Sequence, residues 1–105
     1  MALTENWADL GPADLLPGEC KSVEVDYRNV ALFNLNGTYH ALEDACTHDG
    51  GELSSGLFEG NEITCPRHGA RFDVRTGEAL CMPAVTPTVR FDVKVVDGRV
   101  LADLG

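Results

Sequence analysis

Two short cysteine–histidine pairs constrain this chain more than any other feature. The first is Cys46-Thr47-His48 and the second is Cys65-Pro66-Arg67-His68. Sixteen residues separate His48 from Cys65. Each pair puts one thiol and one imidazole on a short, turn-like segment. Two mirrored loops therefore carry two sulfur and two nitrogen donors.

The framework around these loops reads as short strands punctuated by glycine turns. Val23, Val25, Ala31, Leu32, Phe33 and Leu35 lie in two apolar-rich runs separated by Tyr27-Arg28-Asn29. Asn36-Gly37 sits between Val30–Leu35 and Thr38–Leu42. Asn-Gly supplies the positive φ angles of a tight turn, so these segments predict a hairpin. Phe91, Val93 and Val95 alternate with Asp92 and Lys94, the period of a half-buried strand. Asp97-Gly98 and Arg99-Val100-Leu101 then complete a second hairpin. Helix signals are weak: Pro12–Leu16 has room for one turn before Pro17 and Gly18 stop it. Gly50, Gly51, Gly56, Gly60, Gly69 and Gly77 crowd the middle third, where tight turns and close backbone approach are needed. The expectation is an all-β fold, with a metal-binding unit set into flanking strands.

A length of 105 residues fits one domain. The formal net charge is −9, from 17 acidic and 8 basic residues. Such a surface repels nucleic acid and anionic membranes, so neither is expected as a partner. The first residues, Met1–Asn6, show no basic region followed by an apolar stretch, and no apolar run reaches bilayer length. The expected location is the cytoplasm, where the four cysteines serve as ligands or free thiols rather than disulfides.

Donor chemistry narrows the metal. Two histidines on one iron and two cysteines on the other are the ligands of a Rieske [2Fe–2S] centre. Two ferric ions, two sulfides and two thiolates sum to zero, and neutral imidazoles add nothing. Adding an electron to that neutral centre costs less than adding one to the dianion that four thiolates would give. Histidine ligation accordingly raises the potential to about −150 to +300 mV, against about −400 mV for plant-type ferredoxins. A zinc-stabilised binding module remains the alternative of another class, with the same four residues closing a tetrahedron. Against zinc, Cys-x-His spaces its ligands more tightly than structural zinc motifs do.

The chain resembles bacterial Rieske-type ferredoxins, the electron-transfer components of aromatic-ring-hydroxylating dioxygenase systems. The resemblance is carried by Cys46-Thr47-His48-Asp49-Gly50 and by Cys65-Pro66-Arg67-His68-Gly69-Ala70-Arg71-Phe72-Asp73. Tyr39–Asp44 leads into the first motif, Thr76–Ala79 follows the second, and Pro83 falls where a third loop covers the cluster. The resemblance implies the Rieske iron–sulfur fold over residues 1–105: a small β-sandwich base (1–43 and 85–105) with an inserted cluster-binding subdomain at about 44–84. It implies one [2Fe–2S] cluster, with Cys46 and Cys65 on the inner iron and His48 and His68 on the outer one. It also implies a carrier, not an enzyme, between a flavin-dependent ferredoxin reductase and a terminal oxygenase. The small Rieske-type subunit of an NAD(P)H-dependent nitrite reductase resembles the same fold and is the alternative.

Departures from respiratory-chain relatives carry information. Gly51 and Arg67 stand where those proteins have a disulfide between the ligand loops, and Ala70 and Phe72 stand where they have hydroxyls near the sulfurs. Fewer hydrogen bonds to the sulfurs imply the low end of the Rieske range. Arg67, Arg71 and Arg75 surround the second loop, whereas residues 43–62 hold acids and no base. Either the two stretches form a polarised docking face or these charges satisfy one another locally. His40 has no neighbouring cysteine and reads as structural or exposed. Cys20 and Cys81 read as free thiols, and Trp7 as packing the N-terminal segment onto the base.

Overall fold

Three two-residue turns set the framework, and each places both residues at positive φ. They are Asp26-Tyr27 (52° and 63°), Asn36-Gly37 (54° and 93°) and Asp97-Gly98 (51° and 76°). This backbone twist matches the right-handed twist of the strands it joins, so each turn fixes a hairpin register. The computed structural model describes residues 7–45, 52–66, 69–81 and 86–104.

Among the described residues the strands are β1 (Trp7–Pro12), β2 (Cys20–Val25), β3 (Arg28–Leu35), β4 (Thr38–Glu43), β5 (Leu57–Glu59), β6 (Glu62–Thr64), β7 (Arg71–Asp73), β8 (Ala79–Cys81), β9 (Arg90–Val96) and β10 (Arg99–Asp103). A single 3₁₀ turn, Leu53–Ser55, precedes β5. Six strands form one antiparallel sheet in the order β1-β10-β9-β4-β3-β2, and β5-β6-β7-β8 form a second. The predicted hairpins are both present: β3 pairs with β4 from Leu35↔Thr38, and β9 with β10 from Val96↔Arg99. The all-β expectation is met.

β3 explains how two cores coexist. Its residues Val30, Ala31, Leu32, Phe33 and Asn34 are all buried, so it shows no alternation. Ala31 and Phe33 face one cluster with Leu42, Leu53, Ile63, Cys65, Ala70, Phe72 and Val74. Val30 and Leu32 face another with Ala8, Leu10, Ala41, Phe91, Val100, Ala102 and Leu104. A strand covered on both faces reads as a continuous apolar run. The second cluster draws only on strands of the six-stranded sheet and the residue after β10, so that sheet must curl to enclose it. The first cluster holds the four-stranded sheet against β3 and β4. Phe33 also meets Phe58 of β5 edge to face, with ring centroids 5.1 Å apart. Fully burying a Phe, Leu or Ile side chain contributes about 1.5–3 kcal/mol, so the shared strand anchors both layers.

The N-terminal segment differs from expectation. Pro12 ends β1, and residues 13–19 form no helical turn. Their backbone groups go elsewhere: Ala13 N–H donates to the Gly98 carbonyl at 2.8 Å, and Leu15 N–H to the Tyr39 hydroxyl at 3.1 Å. The buried Asn34 amide donates to the Leu15 carbonyl at 2.7 Å. These long-range partners outcompete a marginal local turn. Trp7 opens β1 opposite Asp103, with the Lys94 ammonium 4.1 Å above its ring.

One close approach lies at the open end of the β5–β6 hairpin, beside the second cysteine. A Cβ on Gly56 would overlap the Thr64 carbonyl, a backbone atom that cannot move aside. Gly60, at φ 59°, has open space where a Cβ would stand. Gly56→Ala should therefore cost about 1–3 kcal/mol, and Gly60→Asn, with a residue that tolerates the left-handed region, less than about 1 kcal/mol. Thermal unfolding of the two variants checks this; equal midpoints would remove the overlap from the account.

Candidate metal centre

The second cysteine–histidine loop leaves β6 at Cys65 and re-enters β7 at Arg71. Cys65 N–H donates to the Ala70 carbonyl at 2.7 Å, and Gly69 N–H returns to the Cys65 carbonyl at 3.1 Å. Gly69 takes φ 79°, which a residue with a Cβ adopts only under strain. The stem is thus closed by backbone bonds on both sides of the loop. Cys65 is 1% exposed and packs in the apolar cluster with Leu53, Ile63, Ala70 and Phe72.

Cys65 is the one predicted ligand among the described residues; Cys46, His48 and His68 lie outside them. So do Gly51, Arg67 and Pro83. Ala70 and Phe72, the two positions without hydroxyls, are both fully buried in the same cluster as Cys65. The surroundings suit the donor set. An apolar wall penalises an isolated thiolate, but a thiolate whose charge ferric iron cancels carries no such penalty.

The first loop is framed by its flanks. It leaves β4 through Glu43, Asp44 and Ala45 and returns at the Leu53–Ser55 turn. Asp44 is buried, and both its oxygens accept: Oδ1 from Ser54 N–H at 2.8 Å and Oδ2 from the Ser54 hydroxyl at 2.7 Å. Asp44 N–H donates to the Asn29 carbonyl, and Glu43 N–H to the Val89 carbonyl. The Thr88 hydroxyl lies 3.4 Å from both the Glu43 and the Ala45 carbonyl oxygens. Cys20 points its thiol at the Ser54 carbonyl, 3.6 Å away. Burial, then the Asp44 carboxylate, pushes that thiol up from its ordinary pKa. Sequence reading missed Asp44, Ser54 and Thr88 as members of the site. The acid two positions before Cys46, in the lead-in to the first motif, was the available signal.

Charges near the second loop are paired at close range. Arg71 lies 3.5 Å from Glu62, and Arg75 holds Asp73 at 2.9 Å. Asp73 also accepts from Arg75 N–H, Arg75 Nε and the Asn61 amide. For Arg71 and Arg75 the local-pairing reading therefore holds, and Arg67 lies outside the described residues. Cys81 of β8 directs its thiol at the Gly69 carbonyl, 3.6 Å away. His40 lies half-buried in β4; burial first, then Arg90 and Arg75, hold its pKa below the ordinary value.

Comparison with known proteins agrees with this architecture. Residues 6–97 match the family model of the Rieske [2Fe-2S] domain. The chain is 39% identical over 100 residues to the ferredoxin component of the naphthalene 1,2-dioxygenase/salicylate 5-hydroxylase systems of Ralstonia sp, spanning 94% of this chain and 96% of that protein. It superposes on the ferredoxin of carbazole 1,9a-dioxygenase from Nocardioides aromaticivorans IC177 with a TM-score of 0.89 at 32% identity, covering 93% and 97% of the two chains. A complex of reduced oxygenase and oxidized ferredoxin in carbazole 1,9a-dioxygenase matches with a TM-score of 0.88 at 33% identity, covering 95% of this chain and 94% of that one.

The Asp73 carboxyl is held below its usual range by the Arg75 guanidinium above all. Stability from this pair is therefore complete above the unfolded carboxylate value of about 3.9 and lost as pH falls through the lower folded value. Asp73→Asn should lower stability at pH 7 by about 1 kcal/mol, a figure discounted because Arg75 is half exposed. The deficit should shrink below about pH 4. Denaturant midpoints measured across pH 2.5–7 test this, and a deficit independent of pH would rule the ion pair out as its cause.

Proposed function

Since the chain belongs to the Rieske [2Fe-2S] domain family, we propose that it is a one-electron carrier that takes an electron from a flavin-dependent reductase and passes it to a terminal ring-hydroxylating oxygenase. When bound, the cluster takes up and releases a single electron at a potential set by its surroundings. Cys46 and Cys65 hold one iron through sulfur, and His48 and His68 hold the other through nitrogen. The four-stranded sheet at 57–81, with the loops beside it, forms the cluster-binding subdomain on a base built from both ends of the chain.

One observation carries the assignment on this chain's own residues. Cys65 is buried at the mouth of a loop whose stem is closed by its own backbone, and His68 lies within that loop. The buried side keeps water away from the sulfur, so the apolar cluster protects the thiolate from protonation and exchange. Ala70 and Phe72 line that wall and offer the sulfurs no hydroxyl donor. A carrier needs no substrate cavity, only a ligand edge near a partner.

The relatives support the partners. The Ralstonia protein is a ferredoxin component of dioxygenase and hydroxylase systems, and the carbazole 1,9a-dioxygenase ferredoxin has been seen in complex with its oxygenase. Weak, brief contact suits such a shuttle. The exchange belongs in the cytoplasm, a reducing compartment in which Cys20 and Cys81, both free, persist as thiols.

The test is the absorption and electron paramagnetic resonance spectrum of the dithionite-reduced protein, with metal and sulfide analysis. Two irons and two sulfides per chain and the rhombic signal of mixed nitrogen and sulfur ligation are expected. His48→Ala, His68→Ala, Cys46→Ser and Cys65→Ser should each abolish that signal. One zinc and no inorganic sulfide per chain would overturn the reading. The midpoint potential should fall at the low end of the Rieske range, near roughly −150 mV; a value well above zero would contradict the role given to Ala70 and Phe72.

A further inference from the structure

The first ligand loop is gripped at its stem by side chains that the sequence motifs do not include. Glu43, Asp44 and Ala45 are the three residues immediately before Cys46. Three separate parts of the fold bond to them: Asn29, Ser54 and the adjacent pair Thr88-Val89. Asn29 of β3 and Val89 accept from the Asp44 and Glu43 amides. Ser54 uses both its N–H and its hydroxyl on the Asp44 carboxylate. Thr88 shares one hydroxyl proton between the Glu43 and Ala45 carbonyls.

The Thr88 contact reaches further. Its N–H donates to the Gly77 carbonyl at 2.8 Å, and Gly77 N–H donates to the Asp73 carbonyl at 2.7 Å. Gly77 is buried at φ 82°, and a Cβ there would overlap the Thr88 carbonyl. Asp73 ends β7, the strand that receives the second ligand loop. An unbroken series of hydrogen bonds therefore runs from the stem of the first loop, through Thr88 and Gly77, to the strand behind the second. On the other side, Asp44 ties the same stem to Ser54, two residues before the Gly56 contact with Thr64 and hence beside Cys65.

We propose that Asp44 and Thr88 are positioning residues that lock the stem of the first ligand loop to the frame carrying the second. The inference rests on the ligand assignment above, because registry between loops matters only where both loops hold one group. Both residues are buried polar groups. Such a group is costly when unpaired and rigidifying when its bonds are complete. Asp44 is complete within the protein: each oxygen has its donor. Neither residue needs to touch iron, since each acts on the stem just before Cys46.

The substitutions separate geometry from bulk. Asp44→Ala removes both acceptors. Asp44→Asn keeps one acceptor for Ser54 N–H, and its amide can donate to the Ser54 hydroxyl, which also accepts. Thr88→Val keeps the shape and loses the hydroxyl, whereas Thr88→Ser keeps the hydroxyl. Ser54→Ala removes one of the two bonds to Asp44 and is the milder variant if Asp44→Ala fails to fold. The holoproteins are compared by the rate at which visible absorption bleaches in the presence of a chelator, and by the g-values of the reduced state.

Thr88→Val should lose the cluster about tenfold faster, the factor set by one lost buried hydrogen bond, and Asp44→Ala, which loses two, at least as fast. Their g-values should shift or broaden, while Asp44→Asn and Thr88→Ser stay close to the parent protein. A parent-like spectrum and bleaching rate in Thr88→Val and Ser54→Ala would overturn the inference and leave the ligand assignment standing. A parent protein that holds no iron would overturn the ligand assignment, and the inference with it.

Discussion

The flanks of the two ligand loops meet at one close contact of backbones. The chain leaves the Leu53–Ser55 turn at Gly56, and the Thr64 carbonyl occupies the space a side chain would need. That contact places the return of the first ligand loop beside the departure of the second. The energy comes from beneath, where Leu53, Ile63 and Phe72 pack on Ala31, Phe33 and Leu42. The contact thus rests on the core, which holds the two flanks together.

The buried polar residues tell the same story from the other side. Among the described residues they are Asn34, Asp44, Asp73 and Thr88. Each sits at or within two residues of the end of a strand, and each bonds to backbone outside that strand. Asn34 holds the segment before β2, Asp44 and Thr88 hold the stem of the first loop, and Asp73 holds the turn after β7. A purely apolar core would stabilise the layers equally well, but it would leave their turns free to slide. Hydrogen bonds are directional, so the polar groups supply the registry that dispersion cannot.

Much of this was legible in the residues, because the signals were local. Asn36-Gly37 and Asp97-Gly98 each specify a turn through their own backbone preferences, and both hairpins form as expected. The turn at Asp26-Tyr27 has the same geometry but carries no glycine, so only the pairing of β2 with β3 identifies it. Tyr27 stands fully in solvent there, its left-handed backbone imposed by the strands on either side. Pro12–Leu16 failed as a helical turn for the converse reason: its bonds go to Gly98, Asn34 and Tyr39, which lie far away in sequence. The site divides along the same line. Cys65 announced itself within a four-residue motif, whereas the roles of Ser54 and Thr88 depend on folding that brings distant segments to Asp44.

Charge offers a last case in which distance decides. The chain carries a formal net charge of −9, and a uniform negative field would oppose adding an electron anywhere in it. Screening limits that field to a Debye length of about 8–10 Å. Within such a range of the second loop the acids are not alone: Glu62 is met by Arg71, and Asp73 by Arg75. The net charge therefore governs how the whole molecule meets other surfaces and says little about the potential of its centre. That potential falls to shorter-range groups. Ala70 and Phe72, packed in the same cluster as Cys65, are apolar and fully buried and carry no hydroxyl to donate. On the proposed ligand assignment, the groups nearest the sulfur, rather than the seventeen acids of the sequence, are the ones that would tune the potential.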